Sequence, residues 1–329
     1  MVRVAKINHI IVSILCGVFL IACSTEEESY TLVKEIVVST KEMTIDNLDD
    51  TLSDDITRSQ LANPGSRVEY LFEDNDTIGI FPEGGFEIPF VVTIPDKIPI
   101  NSVSFSAGGW RTKDGVKYCS YLPFDRYNFD YSDRVPWTFD VLHQNGNKNG
   151  NDTGIKNGLL LATLPTETNE DGTFYAKFTH MGTVLRAAYK LPNPGTFKKA
   201  CLVAPSARFA INGTYDFYTE GQPFTAGTMS DHFDVIWENL TDNSESPILY
   251  AYFILSPDIS FTTGEVMTSY VWDDAGIRYR GTYTYKKNTT YKRNGYSTIS
   301  FVMERESNNL STYIDDYSNE GEGNGVAIE

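Results

Sequence analysis

The feature that most constrains the fold of this chain is the spacing of its short apolar runs. Segments rich in Val, Ile, Tyr, Phe and Thr recur between clusters of Gly, Asn, Asp and Pro. Val68, Tyr70 and Phe72 recur at every second position, as the buried residues of a half-buried strand do. Short strands that recur at intervals of about 8–12 residues are typical of β-sandwiches. The sequence therefore predicts an all-β chain, without long amphipathic helices.

The length of the chain and its prolines indicate how these strands are divided. A chain of 329 residues with 41% hydrophobic content is long enough for two cores. Pro192-Asn193-Pro194-Gly195 is the strongest boundary, because two prolines interrupt strand pairing there. We predict tandem β-sandwiches at 59–194 and 195–329, the second ending in an acidic tail. Ahead of them, 32–39 is predicted to be a strand and the polar residues 43–67 a tether or crossover.

One turn predicts a specific pairing of strands. Lys113-Asp114-Gly115 has the residue types of a tight reversal. Alternating residues lie on both sides of it, at 103–110 and 116–122. These two segments are therefore predicted to form a hairpin.

The first 22 residues have the organisation of a lipoprotein signal peptide. Arg3 and Lys6 precede an almost wholly apolar stretch, Ile10 to Ala22, which is shorter than the ~20 residues that span a bilayer. The stretch ends at Leu20-Ile21-Ala22-Cys23, which resembles a bacterial lipobox. The thiol of Cys23 is the atom that takes the diacylglycerol. We predict acyl anchoring at Cys23, the alternative being an ordinary secretory signal followed by a chance cysteine.

The residues after the predicted anchor and the overall charge bear on location and partners. Ser24-Thr25-Glu26-Glu27-Glu28 resembles a signal for the outer face of the outer membrane, and it suits a solvated tether equally well. Residues 23–58 are thus predicted to be a lipidated tether with a removable strand. The formal net charge of −17 argues against nucleic acid, which needs a basic surface. We expect a lipid-anchored protein of the cell outer membrane.

The cysteines and histidines of the mature chain do not predict catalysis. Cys119 and Cys201 would be able to pair in an oxidising compartment, although we expect them in different domains. His143, His180 and His232 do not stand at metal or catalytic spacing, and His180 is expected on a sheet face with a local hydrogen bond. No nucleophile motif or phosphate-binding loop is present. We predict no enzyme activity, no metal and no cofactor.

Aromatic residues leave a second function open. Four acidic residues lie near aromatic ones in this part of the chain: Asp125, Asp130, Asp133 and Asp140 stand among Tyr127, Phe129, Tyr131 and Trp137. Such a set suits sugar binding, or more rarely a glycosidase with two opposed carboxylates. With Trp110, Trp237 and Trp272 it supports the alternative of a glycan-binding surface lipoprotein. Residues 145–156 resemble a calcium loop only in part, because position twelve is Lys156.

The order of several motifs resembles that of the fimbrillin family of Bacteroidales pilins and anchored surface lipoproteins. The motifs follow the lipobox in this order: Thr57-Arg58, Asp76-Thr77-Ile78-Gly79-Ile80-Phe81, Gly109-Trp110, Tyr121-Leu122-Pro123-Phe124, Phe178-Thr179-His180 and Gly295-Tyr296. The resemblance covers most of the chain.

This resemblance implies two sandwiches of transthyretin-like topology in a pilus subunit or pilus-associated protein of the fimbrium. Many family members are trimmed by an Arg-directed protease, and a strand from another subunit fills the groove that is left. Carried onto this chain, the removable strand contains Leu32, Val33, Ile36 and Val38, and cleavage follows Arg58 or, secondarily, Arg67. The expected partners are other pilin subunits and a host or bacterial surface ligand. The acidic stretch 307–325 makes a poor donor strand, so a tip, anchor or accessory position suits the chain better than a shaft position.

Overall fold

The structure is a computed structural model that describes residues 28–48, 70–124, 134–138, 142–144 and 159–306. These residues form β-strands joined by turns and contain no helix, so the all-β prediction is confirmed. The strands are, in chain order, β1 Tyr30–Leu32, β2 Glu35–Thr40, β3 Thr44–Leu48, β4 Thr77–Pro82, β5 Ile88–Val91, β6 Ser102–Ser106, β7 Arg111–Lys113, β8 Tyr118–Leu122, β9 Arg134–Thr138, β10 Leu142–Gln144, β11 Leu161–Ala162, β12 Thr173–His180, β13 Thr183–Lys190, β14 Gly195–Val203, β15 Phe209–Ala210, β16 Asn212–Asp216, β17 Phe224–Ala226, β18 Met229–Ser230, β19 His232–Asp242, β20 Ile248–Leu255, β21 Ile259–Phe261, β22 Val266–Asp273, β23 Arg278–Thr284, β24 Thr289–Tyr291, β25 Gly295–Val302 and β26 Glu304–Arg305.

The largest sheet has seven strands in the order β5-β4-β8-β11-β12-β2-β6. Its neighbouring strands are antiparallel except β12 and β2, which run parallel. Rings pack edge to face against it: the centroid of Trp110 lies 5.5 Å from that of Tyr118 and 5.4 Å from that of Phe174. This aromatic cluster forms part of the core, because Tyr118 and Phe174 are buried.

Two further sheets pack face to face as a β-sandwich. The four-stranded sheet β20-β13-β25-β3 lies against the six-stranded sheet β10-β19-β14-β22-β23-β26. Tyr189 on β13 meets Trp237 on β19 with 6.0 Å between ring centroids, and its hydroxyl accepts a 3.1 Å hydrogen bond from Ser269 on β22. Buried and more exposed side chains alternate along β22 and β23 of the six-stranded sheet, as expected of one layer of a sandwich, whereas β13, β20 and β25 are buried along nearly their whole length.

Strand pairing crosses the sequence position predicted as a domain boundary. β13, on the N-terminal side of 194/195, pairs antiparallel with β20 and parallel with β25, both from the C-terminal side. The segment around β16 also connects the two parts, since the Tyr218 hydroxyl donates to the Phe81 carbonyl at 2.6 Å and accepts from the Cys119 N–H at 3.0 Å. The division into 59–194 and 195–329 as independent folding units stays a prediction.

The predicted hairpin around Lys113-Asp114-Gly115 is wrong in its partners. The turn exists, with Val116 N–H donating to the Lys113 carbonyl at 3.2 Å and Gly115 at φ 73°. However, β6 pairs with β2, β8 pairs with β4 and β11, and β7 pairs with β1. Turn residues determine where the chain reverses, whereas distant strands determine what each arm pairs with.

The N-terminal segment also differs from its prediction. The single strand expected at 32–39 is divided into β1 and β2. Between them, the Val33 and Lys34 N–H groups donate to the carbonyls of Trp110 and Gly172, which lie outside the strands. Residues 44–48, expected to lie in a polar tether or crossover, form β3 and pair parallel with β25. Their sequence, Thr-Ile-Asp-Asn-Leu, has too little apolar alternation to predict a strand.

Candidate functional site

Residues 28–48 contribute strands to three sheets, and we call them the N-terminal segment. β1 pairs with β7, β2 lies within the seven-stranded sheet, and β3 forms an edge of the four-stranded sheet. The segment therefore connects the seven-stranded sheet with the β-sandwich through backbone hydrogen bonds. A segment held mainly by strand pairing is the kind of element that another extended chain is able to replace.

β2 is an internal strand, and its apolar side chains belong to the core. It runs parallel to β12 and antiparallel to β6, with Ile36 opposite Phe174 on one side and Phe105 on the other. Val33 is 1% exposed and Ile36 and Val38 are 0% exposed, whereas Leu32, at the end of β1, is 46% exposed. Three of the four residues predicted for the removable strand thus fill core positions, and the fourth lies at the surface.

The neighbours of β2 define what its departure would leave. Among the described strands, β6 pairs only with β2, and β12 pairs with β2 along six residues. Without β2, both strands would present unpaired N–H and C=O groups along an open groove with the sites of Ile36 and Val38 empty between them. Open edges of this kind accept foreign strands. The replacement strand would have to run parallel to β12 and keep the inward alternation of β2.

The beginning of the N-terminal segment is held by a surface network around Asp114. The hydroxyls of Ser29 and Thr31 donate to the two carboxylate oxygens of Asp114, and Lys113 Nζ lies 2.6 Å from Glu28 Oε1. The Ser29 and Thr31 hydrogen bonds lower the pKa of the Asp114 carboxyl below its usual value. The network is solvent-exposed, so it orients β1 without contributing to the core.

We expect Asp114→Ala to loosen β1 and to leave β2 in place. The substitution removes the acceptor of both hydroxyls, while the core contacts of Ile36 and Val38 are unchanged. Hydrogen exchange followed by mass spectrometry should show faster exchange in Tyr30–Leu32 and unchanged exchange in Glu35–Thr40. The matched control is Asp274→Ala, which removes another exposed carboxylate. Faster exchange in β2 as well would show that the two strands open together.

Two predicted cleavage sites and the predicted anchor lie outside the described residues. Cys23 precedes them, and Arg58 and Arg67 fall in the span between Leu48 and Tyr70. The predicted partial calcium loop at 145–156, most of the acidic and aromatic set between 125 and 140, and the tail from 307 onward also fall outside them. Lipidation at Cys23 and cleavage after Arg58 or Arg67 therefore stay predictions.

The four tryptophans do not share one groove. Trp237 is 2% exposed in the sandwich core and its indole N–H donates to the Tyr250 carbonyl at 3.2 Å. Trp110 packs in the aromatic cluster of the first sheet, and Trp137 lies on β9. Trp272 is partly exposed on β22, where the Lys199 ammonium is 5.3 Å from its ring centroid and the Tyr270 ring centroid is 5.9 Å away.

The cysteines and histidines lie apart from one another. Cys119 and Cys201 are buried thiols that form no disulfide with each other, and burial together with Asp234 raises the pKa of the Cys201 thiol. His180 is 1% exposed, and its ring nitrogens have no hydrogen-bond partner of good geometry among the described residues, although the Gly182 backbone is close enough to affect the ring. In the part of the chain that the structure describes, no three His, Cys, Asp or Glu side chains form a group that would hold a metal. Within the described ranges, no helix is long and apolar enough to cross a membrane.

Desolvation lowers the pKa of His180 to about 3, with a smaller contribution from the Arg293 charge that is opposed by the Gly182 backbone. The imidazole is therefore neutral at physiological pH. His180 lies at the end of β12, next to the point where the N-terminal segment passes from β2 to β3. The sequence carries no signal for this, because the burial of His180 depends on residues far away in the chain.

Known structures with a similar fold come from Bacteroides and Porphyromonas. One is a Bacteroides uniformis protein proposed to act in cell adhesion, 16% identical, with 84% of this chain and 98% of that chain covered and a TM-score of 0.48. A Bacteroides ovatus protein of the same description is 12% identical, with 85% and 97% covered and a TM-score of 0.48. The tip fimbrial protein Mfa3 of Porphyromonas gingivalis, C-terminally truncated, is 11% identical, with 72% and 96% covered and a TM-score of 0.36. No family model and no curated protein matches the chain.

Proposed function

We propose that this chain is a fimbrillin-like pilus subunit or pilus-associated surface lipoprotein that assembles by β-strand exchange and serves adhesion. The observation that carries the proposal is the N-terminal segment, which supplies an internal strand to one sheet and an edge strand to another. Its connection to the rest of the body runs through the span that contains Arg58 and Arg67. One cut in that span would separate β1, β2 and β3 from the body covalently.

Cleavage by itself would not empty the groove, because Val33, Ile36 and Val38 would still be buried. The cut converts a tethered strand into a separate peptide, so a competing strand from another subunit no longer faces an effective concentration in the millimolar range. Strand exchange then becomes a bimolecular competition for the same backbone hydrogen bonds. No catalytic chemistry by the chain itself is part of this proposal.

Anchoring at Cys23 would place the precursor on the cell outer membrane before assembly. The acyl chains would hold the chain by burial of methylenes at about 0.8 kcal/mol each. Cleavage after Arg58 would also remove the anchor, which releases the trimmed body into the fimbrium. Other pilin subunits are the expected protein partners, and a surface ligand of a host or another bacterium is the expected target of adhesion.

The decisive experiment is to determine the N-terminus of the protein recovered from cells by sequencing and intact mass. We expect an acylated Cys23 in the membrane fraction and a new N-terminus at Ser59 in polymeric material. Arg58→Ala should suppress the second species, with any remaining cleavage moving to Arg67. A cell-surface protein that keeps residues 28–48 covalently attached in every fraction would contradict assembly by trimming.

A separate prediction concerns the anchor. We expect Cys23→Ser to release the protein from the membrane fraction, because an alcohol is not a substrate for diacylglycerol transfer to a thiol. Fractionation followed by immunoblotting checks the result. Ser24→Ala is the control, since it alters the neighbouring position and keeps the thiol. Membrane retention of the Cys23→Ser protein would show that the signal is not a lipobox.

The alternative function, glycan binding at the cell surface, is supported by the position of Trp272. Its ring lies beside Tyr270 on the outer face of the six-stranded sheet, near the charged groups of Lys199 and Arg278. Immobilised oligosaccharides would test it with the wild-type protein and Trp272→Ala. Specific binding that is lost on substitution, in a protein that is never trimmed, would favour this alternative.

A further inference from the structure

The N-terminal segment changes sheets over only three residues, Lys41, Glu42 and Met43. β2 ends at Thr40 in the seven-stranded sheet, and β3 begins at Thr44 in the four-stranded sheet. Before the change, Lys41 N–H donates to the Phe178 carbonyl at 2.8 Å. We call residues 41–43 the crossover. Three residues are too few to absorb a shift of one strand along its neighbour, so the registers of β2 and β3 are coupled.

The side chain of Asn294, which lies just before β25, contacts the crossover. Its Nδ2 donates to the Glu42 carbonyl at 2.6 Å, and its own backbone carbonyl accepts from the Thr44 N–H at 2.7 Å. Asn294 is 4% exposed and sits immediately before β25, the strand that pairs with β3. A buried carboxamide that donates to a backbone carbonyl fixes which backbone atom lies there.

The remaining polar groups of Asn294 bind the turn between β12 and β13. Its backbone N–H donates to the Gly182 carbonyl at 2.9 Å, and its Oδ1 accepts from the His180 N–H at 3.3 Å. The residue has φ 58°, in the left-handed region that Asn tolerates better than most residues. Asn294 is thus fixed by the body of the protein, and its two other bonds are directed at the N-terminal segment.

Asn294 lies at the point where the registers of β2 and β3 meet. Thr44 opposite Gly295 sets the register of β3, and Glu35 opposite Thr173 sets that of β2. A slip of one residue would turn Ile36 and Val38 from the core to the opposite face. A fixed carbonyl at the position of Glu42 and a fixed N–H at the position of Thr44 prevent this slip in both strands together.

We propose that Asn294 is the specificity-determining residue of the strand-acceptor site, accepting only an extended segment whose crossover presents a backbone carbonyl and, two residues later, an N–H to it. This inference rests on the proposed strand exchange. The partner it fits is an extended segment of another subunit with two strands joined by a three-residue crossover. A donor with a longer or shorter crossover fills at most one of the two strand positions.

The first test compares Asn294→Asp and Asn294→Gly in the full-length chain. Asp is nearly isosteric but offers an oxygen to the Glu42 carbonyl, whereas Gly keeps the left-handed backbone and loses the carboxamide. Hydrogen exchange should accelerate by about tenfold or more in Glu35–Leu48 for the Asp variant, as expected for loss of a buried hydrogen bond and its replacement by a repulsive contact. The Gly variant should show a smaller acceleration in the same residues, and exchange in Gly195–Val203 should stay unchanged.

The matched control is Asn288→Asp, which makes the same chemical change in an exposed loop. There Asn288 binds Thr263 through its Oδ1, an oxygen that aspartate keeps. This variant should exchange like the wild type in Glu35–Leu48. Equal exchange there in Asn294→Asp and the control would overturn the proposal. Uniform acceleration across the whole chain would also overturn it, because Asn294 would then be a general structural residue.

The second test inserts one glycine between Glu42 and Met43 in the full-length chain. We expect one of the two strands, β2 or β3, to lose protection while the other keeps it, since Asn294 then binds only one side of the crossover. Unchanged protection in both strands would overturn the coupling of their registers. These measurements need no polymer, so a wild-type protein that is never trimmed would refute strand exchange and leave the result for Asn294 readable.

Discussion

A chain that lacks residues 23–48 is expected to lose the cooperative unfolding of its body, and to regain it when a synthetic peptide of residues 28–48 is added in trans. The deletion removes a strand from each of three sheets and the buried side chains of Val33, Ile36, Val38 and Met43. Burial of each such side chain is worth about 1.5–3 kcal/mol. Four of them approach the ~5–15 kcal/mol total stability of a domain. Calorimetry with and without the peptide measures both effects.

The shape of the vacant groove predicts which peptides restore stability. A peptide in which Ile36 and Val38 are both aspartate should fail, because each would bury an uncompensated charge in the core. A peptide with Tyr30→Ala is the matched control, since Tyr30 is 49% exposed and its removal leaves the core contacts intact. Without any peptide, the truncated chain should associate through its open β6 and β12 edges. A truncated chain with the melting temperature of the full chain would show that the segment is dispensable.

The sequence predicted the central strand of the site well, because the β-propensity of one strand is local information. Ile36, Val37 and Val38 form a run of β-branched residues, which favours a strand, although only the structure shows that Ile36 and Val38 are buried and Val37 partly exposed. β3 was missed for the converse reason: its pairing with β25 involves residues about 250 positions away, and its own composition is polar. The misassigned hairpin shows the same limit, because a turn motif specifies a reversal and carries no information on distant partners.

The polar residues of the site follow this pattern. Asn294-Gly295 is recognisable as a turn, and the structure confirms a tight turn in which the Gly295 N–H donates to the Lys292 carbonyl at 3.0 Å. The contact of Asn294 with Glu42 spans 252 positions, so its role depends entirely on tertiary structure. Asp114 likewise is visible as a turn residue, whereas its bonds to Ser29 and Thr31 arise only because β1 is placed beside β7.

We expect the free energy of unfolding of the wild type to decrease steeply as the pH is lowered below about 6.5. The decrease should be less steep in His180→Leu. The folded protein holds His180 neutral because burial lowers its pKa to about 3, while an unfolded chain titrates near 6.5. Between these values the unfolded state binds a proton that the folded state does not, so each unit of falling pH removes about 1.4 kcal/mol. Urea unfolding at pH 7 and pH 4.5 should therefore show a loss about 2–3 kcal/mol smaller in the variant.

The variant separates this effect from the general loss of carboxylate interactions in acid, because both proteins share the same carboxylates. Leucine also removes two ring nitrogens that have no partner among the described residues, so the stability of the variant at pH 7 should lie within about 1 kcal/mol of the wild type. His143→Leu is the control, since it makes the same substitution at an imidazole whose side chain is 62% exposed and not buried in the core. If the free energy of unfolding depended on pH equally in His180→Leu and the wild type, the imidazole would take up a proton in the folded state. The surroundings of His180 would then be accessible to water.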